Sequence, residues 1–153
     1  MWIKLAVAGC VLAFCILLGY LAAGKYRARK KFYFDFSAFN ERYMSELKYR
    51  RRAVKEVIGE CAEGEFRAAV LRGLQGEELR PPAYLTEEEQ GFYAEYVGML
   101  GKGDSRSQTD FFEHKRGEIE EKRKSAEAEA KSRGELYWKL GLLFGLAFII
   151  LII

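Results

Sequence analysis

The stretch LAVAGCVLAFCILLGYLAAGKYRARKK, residues 5–31, decides where the chain sits, because three different fates each fit part of it. It contains VAGC, the pattern of a lipidated cysteine at Cys10. A lipoprotein signal needs its apolar run before that cysteine, whereas here only nine residues precede Cys10 and the run continues to Ala23. A cleaved secretory signal ending at Ala22-Ala23-Gly24 would drag Lys25, Arg27, Arg29, Lys30 and Lys31 across the membrane. Residues 5–23 make 19 positions, about 28 Å of helix at roughly 1.5 Å each, which is the thickness of a bilayer core. A retained membrane helix over residues 1–24 is therefore favoured over cleavage and over lipidation.

The far end repeats the signal. LYWKLGLLFGLAFIILII, residues 136–153, is apolar apart from Lys139 and opens with Tyr137 and Trp138, the residues of an interfacial aromatic belt. Lys139 can snorkel back to the charged side. The basic flanks of both apolar ends face the middle of the chain. Eleven Lys and Arg lie there (Lys25, Arg27, Arg29, Lys30, Lys31, Arg42, Lys122, Arg123, Lys124, Lys131 and Arg133), against Lys4 alone on the other side. An excess of that kind marks the cytoplasmic face. The expected organisation is a transmembrane helix at 1–24, a cytoplasmic helical domain at 25–135 and a second transmembrane helix at 136–153.

The composition agrees. Half of the residues are hydrophobic, yet the 31% that are charged concentrate between the apolar ends, and the middle is long enough for a modest core. The net charge of +3 hides a local excess. From Gly24 to Arg52 ten Lys or Arg stand against Asp35, Glu41 and Glu46. Beside a membrane such a stretch meets anionic lipid more readily than nucleic acid. Cys10 and Cys15 lie in the first apolar run and Cys61 in the middle, which suggests no disulfide and suits a reducing compartment.

The middle reads as helix nearly throughout, with prolines only at Pro81 and Pro82. A first helix is expected to run on from the membrane, with Phe36, Phe39, Tyr43 and Leu47 as its core stripe. KYRRR, residues 48–52, marks a bend. Val54, Val57, Ile58 and Cys61, then Phe66, Ala69, Val70 and Leu74, trace two short amphipathic helices, with Cys61 turned inward. After GLQGEELRPPAY, Thr86 and Glu89 form a capping box that opens a helix carrying Phe92, Tyr96 and Leu100. GKGDS breaks the chain again, and Ser105 with Gln108 offers a second capping box. A long helix with Phe112, Ile119 and Ala126 on one face then leads into the second span. The fold class is all-α: a helical bundle flanked by N-terminal and C-terminal transmembrane helices.

Catalytic chemistry is hard to find. His114, the only histidine, sits among Glu113, Lys115 and Arg116 on a polar face, and one histidine with one non-membrane cysteine does not make a zinc site. Cys61 is read as a core residue rather than a nucleophile. No phosphate-binding GxxxxGK[ST] loop occurs, and Glu87 to Glu89 favour a helix start rather than acid catalysis. The aromatic FYFDF, spaced as helix, packs a core sooner than it stacks bases. No enzyme activity, cofactor, metal, small-molecule substrate or nucleic acid is expected.

Two features invite a partner instead. Gly141 and Gly145 form a GxxxG that permits close approach by another helix. Arg50, Arg51 and Arg52 form a dense positive cluster on a bend, suited to an acidic protein surface or to lipid.

The membrane start with the basic helix after it, and three further stretches, resemble one known family. SELKYRRRAV, residues 45–54, keeps Glu46 and Tyr49 of a T-E-I-x-Y-x-x-x-P-L pattern, with Ser45 for its threonine and Ala53 for its proline. MLGKGDSRSQ, residues 99–108, carries LG-x-x-D-x-x-x-Q through Leu100, Gly101, Asp104 and Gln108, and ELYWKLGLLFGLAFIILII closes the chain. In these the chain resembles the stage III sporulation protein AB family of endospore formers. The resemblance implies a non-enzymatic subunit in the mother-cell membrane around the forespore, within a channel-like complex. It also implies a soluble domain similar to that of the F-type platform protein of type II secretion systems, with a secretion-type ATPase and ring-forming subunits as partners. The alternative is a bitopic membrane adaptor or signalling protein with a helical interaction domain.

Overall fold

The computed structural model describes residues 2–50 and 52–152, with side chains at all of these except 3–6, 8, 151 and 152. Its regular elements are all helices: α1 (Trp2–Ala22), α2 (Gly24–Tyr49), α3 (Val54–Gly59), α4 (Glu65–Leu74), α5 (Glu87–Met99) and α6 (Ser105–Ile152). The chain divides into two compact units, one of Met1–Ala28 with Ala126–Ile153 and one of Arg29–Ser125. Parts of α2 and of α6 belong to each.

The Arg29–Ser125 unit is built around rings. The core stripe on α2 is broader than its periodicity predicts: Phe32, Tyr33, Asn40, Met44 and Glu46 are buried together with Phe36, Phe39 and Tyr43, while Leu47 is only half-buried. Phe36 lies 5.0 Å, centroid to centroid, from Phe66 of α4 and 4.6 Å from Tyr96 of α5. Tyr43 and Tyr96 both meet Phe112 of α6 edge to face, at 5.1 and 4.9 Å. Edge-to-face and offset pairs of this kind add about 0.5–1.5 kcal/mol each beyond the area they bury. Val57, Ile58, Phe66, Ala69, Val70, Phe92 and Leu100 join the core, as their spacing predicts, whereas Val54 and Leu74 of the same stripes are half-buried.

The ends of the helices explain where they start. Thr86 opens α5 with both halves of its capping box: its hydroxyl accepts from the Glu89 N–H, and the Glu89 carboxylate accepts from the Thr86 N–H at 3.0 Å. The predicted box of Ser105 with Gln108 does not form. Asp104, one residue earlier, takes the cap by accepting from the Ser107 N–H and hydroxyl, and Gln108 is buried on other business. Cys61 lies past the end of α3 and is half-buried rather than turned fully inward.

In the other unit, α1 and the C-terminal part of α6 run antiparallel. The first helix does not continue smoothly into the second: a turn at Ala23 separates α1 from α2. The hydrogen bonds Ala23 N–H to Gly19 O and Arg27 N–H to Ala23 O carry the backbone over it. Among the described residues one helical run, Gly9–Tyr49, contains a stretch long and apolar enough to cross a membrane, by length and composition.

Candidate functional site

The bend after α2 parts Arg52 from Arg50, which sequence places together. Arg52 reaches back along the chain, its guanidinium donating to both Glu46 oxygens, one at 2.9 Å from Nε, and to Glu60 at 2.6 Å. Arg42 joins from α2 by pairing with the same Glu60. The Arg52 hydrogen bonds hold the Glu46 and Glu60 carboxyls below the usual carboxylate range and push the Arg52 guanidinium further up. This clasp ties the end of α2 to the end of α3. Arg50 is exposed and makes no side-chain hydrogen bond or ion pair among the described residues; Arg51 lies outside them. Beside Arg50 stands Tyr49, 82% exposed, a large aromatic ring that periodicity alone passes over. The guanidinium and ring leave an outward-facing pair on the bend, and Tyr and Arg are the side chains that most often anchor protein interfaces.

The LG-x-x-D-x-x-x-Q stretch forms the joint between α5 and α6. Leu100 is buried, Gly101 takes a φ of 72°, and its N–H donates to the Tyr43 hydroxyl at 3.3 Å. That hydroxyl in turn donates to Gln108 Oε1 at 2.7 Å, while Gln108 Nε2 donates to the Gly103 carbonyl at 3.4 Å. Burial pushes the Tyr43 phenol up, so it remains a neutral donor. Asp104 caps α6. Gly101 and Gln108 thus fix the α5–α6 turn onto Tyr43 of α2, because a buried hydroxyl and amide must find partners. One helical turn away, the Tyr96 hydroxyl donates to Asn40 Oδ1 at 2.8 Å, extending the network through α2.

A second buried charge anchors α5. Glu89 accepts from Arg29 at 2.6 and 3.0 Å. Burial alone would raise the Glu89 carboxyl, but bonds from Arg29, the Thr86 N–H and Tyr33, with the Arg29 charge, hold it below the usual carboxylate range. Lys115, also buried, donates to Glu95 at 3.0 Å and lies 4.9 Å from the Phe92 ring centroid. These pairs are structural: each charge is satisfied from within. His114 is exposed, 3.6 Å from Glu118. Among the described residues no group of three or more His, Cys, Asp or Glu is placed to hold a metal ion.

In the helix pair, Gly141 and Gly145 face a helix of their own chain. A Cβ on Gly141 would stand 2.9 Å from the Cys15 carbonyl oxygen, and one on Gly145 would overlap Leu12. Gly19, which sequence reading did not single out, completes the contact, since its Cβ would meet the Tyr137 carbonyl oxygen at 2.7 Å. The levels 12 with 145, 15 with 141 and 19 with 137 define the antiparallel register. The signal was present in the sequence: Gly19 sits near the end of its apolar run as Gly141 sits near the start of the other, the match a hairpin requires.

The family model described as stage III sporulation protein AB matches residues 66–153, more than half of the chain. The matched part includes MLGKGDSRSQ and the apolar C-terminus but not SELKYRRRAV or the first apolar run. No curated protein and no solved structure matches.

Proposed function

The chain belongs to the stage III sporulation protein AB family, which gives it a role in stage III of sporulation; from that premise we propose that it is a platform-type structural subunit of a secretion-like complex linking mother cell and forespore. In this reading α1 and the end of α6 cross the mother-cell membrane as a hairpin. The 29–125 unit faces the cytoplasm and works by contact rather than catalysis.

The observation that carries the reading is the glycine contact of Gly19, Gly141 and Gly145. By closing the two apolar ends on each other, it fastens the intervening chain at both ends. A domain held that way transmits position or force to its neighbours and cannot diffuse to a substrate. The basic flanks of both apolar ends support the cytoplasmic orientation. Arg50 with Tyr49 is the proposed contact with a cytoplasmic secretion-type ATPase, and the outer face of the hairpin the contact with ring-forming membrane subunits.

The test is genetic and biochemical together. A strain lacking the gene should complete engulfment yet form no heat-resistant spores. Arg50→Glu should keep the protein in the membrane but abolish recovery of the ATPase after crosslinking. Normal spore yields without the gene would refute the role, and undiminished recovery would refute the contact.

A further inference from the structure

We propose that the basic and aromatic collar where α1 passes into α2 binds the headgroup of an acidic phospholipid. The proposal rests on the reading of the helix pair as membrane-spanning. Arg27 lies with its guanidinium 3.8 Å from the Tyr20 ring centroid and donates to the Tyr20 carbonyl at 2.7 Å. Lys25 stands 5.0 Å, and Arg133 of α6 6.0 Å, from the Tyr26 ring, which itself stacks on Tyr137 at 6.2 Å. Two helices therefore bring three cations and three rings to one level, just beyond the Gly19–Tyr137 contact.

None of Lys25, Arg27 and Arg133 forms an ion pair with a carboxylate of the described residues, and all three are exposed. A guanidinium has five N–H donors, and the single bond to Tyr20 leaves the others for a phosphate. The rings pin the cations at the depth where interfacial aromatics sit. Charge alone would equally suit an acidic protein. The surface next to the collar decides against it: Leu17, Leu18 and Leu21 of α1 and Leu136 of α6 are exposed and apolar. A phospholipid offers both halves of that match, a phosphate for the cations and acyl chains for the leucines. An acidic lipid adds net negative charge that a zwitterionic one lacks.

Trp138, exposed beside Tyr137, reports on this site, and Trp2→Phe leaves it as the only tryptophan. The full chain is reconstituted in phosphatidylcholine vesicles doped with brominated phosphatidylcholine or brominated phosphatidylglycerol, and quenching of Trp138 gives the relative affinity. The expected preference for the acidic lipid is about fivefold or more, since one basic side chain near an anionic surface contributes roughly that factor. It should shrink as salt rises. The triple variant Lys25→Gln, Arg27→Gln, Arg133→Gln should lose the preference while quenching by brominated phosphatidylcholine persists, and Lys102→Gln should keep it. Equal quenching by both lipids in the native collar, or a preference untouched by the triple variant, would overturn the proposal alone. Quenching by neither would overturn the membrane reading as well.

Discussion

Between residues 29 and 125 the helices are held by some of the largest side chains available; in the helix pair they meet where side chains are missing. Phe36, Phe66 and Tyr96 interlock ring against ring, and every polar atom drawn in with them on α2 finds a partner, as Tyr43 and Asn40 do. Around Gly19, Gly141 and Gly145 the backbones themselves touch, and the large residues, Phe14, Leu143, Phe144 and Phe148, point outward. On the proposed reading of the pair as membrane-spanning, the difference follows the solvent. Water drives apolar bulk together, so the more ring area buried the better. Lipid exerts no such drive between helices, and close backbone approach takes its place.

The contrast is broken most severely at Phe36, which is fully buried. Phe36→Ala should cost about 3–5 kcal/mol, seen as a lower urea midpoint for the full chain in detergent by near-ultraviolet circular dichroism, with the helix pair untouched. The reciprocal experiment adds bulk where none fits. Gly141→Ile should cost about 1–3 kcal/mol by overpacking and separate the pair without altering the aromatic signal. With spin labels on Cys10 and Leu146→Cys, and Cys15 and Cys61 replaced, dipolar broadening should be present with Gly141 and lost with Ile.

Two smaller effects sharpen the aqueous side. Glu89→Gln should remove about 2 kcal/mol, the scale of hydrogen bonds to a charged group. Because the folded state holds the Glu89 carboxyl low, its contribution is fully present above the unfolded pKa of about 4.3 and fades as pH falls through the lower folded value. An acid titration of stability should therefore be shallower below about pH 4.3 in the Gln variant than in the native chain. Thr86→Ala should cost least, about 1 kcal/mol for the lost cap, read from the same urea curves.

How much of this was legible in sequence differs between the regions for the same reason. Helical periodicity announces a stripe facing a core, so Phe36, Phe39 and Tyr43 were read correctly, as was the Thr86–Glu89 box. The wider burial of Phe32, Tyr33 and Glu46 was not, because α2 is surrounded on more than one side and a single-faced pattern no longer applies. Asp104 displaced Ser105 as the cap because Gln108 was needed by the Tyr43 hydroxyl, a contact 65 residues apart in sequence. Adjacency groups Arg52 with Arg50, whereas its geometry belongs to Glu46 and Glu60. In an apolar run every face looks alike, so GxxxG announces a close contact without saying with which helix; only the register of Gly19 against Tyr137 identifies the chain's own N-terminal helix.

The central claim is that α1 and the end of α6 form a hairpin across the membrane with the 29–125 unit inside the cell. It is tested most directly in a cysteine-free chain carrying one thiol at a time, exposed in intact cells to a membrane-impermeant maleimide. Lys102→Cys, in the exposed turn before α6, should be labelled only after permeabilisation, and Trp2→Cys should be labelled without it. Labelling of Lys102→Cys in intact cells, or protection of Trp2→Cys, would contradict the account.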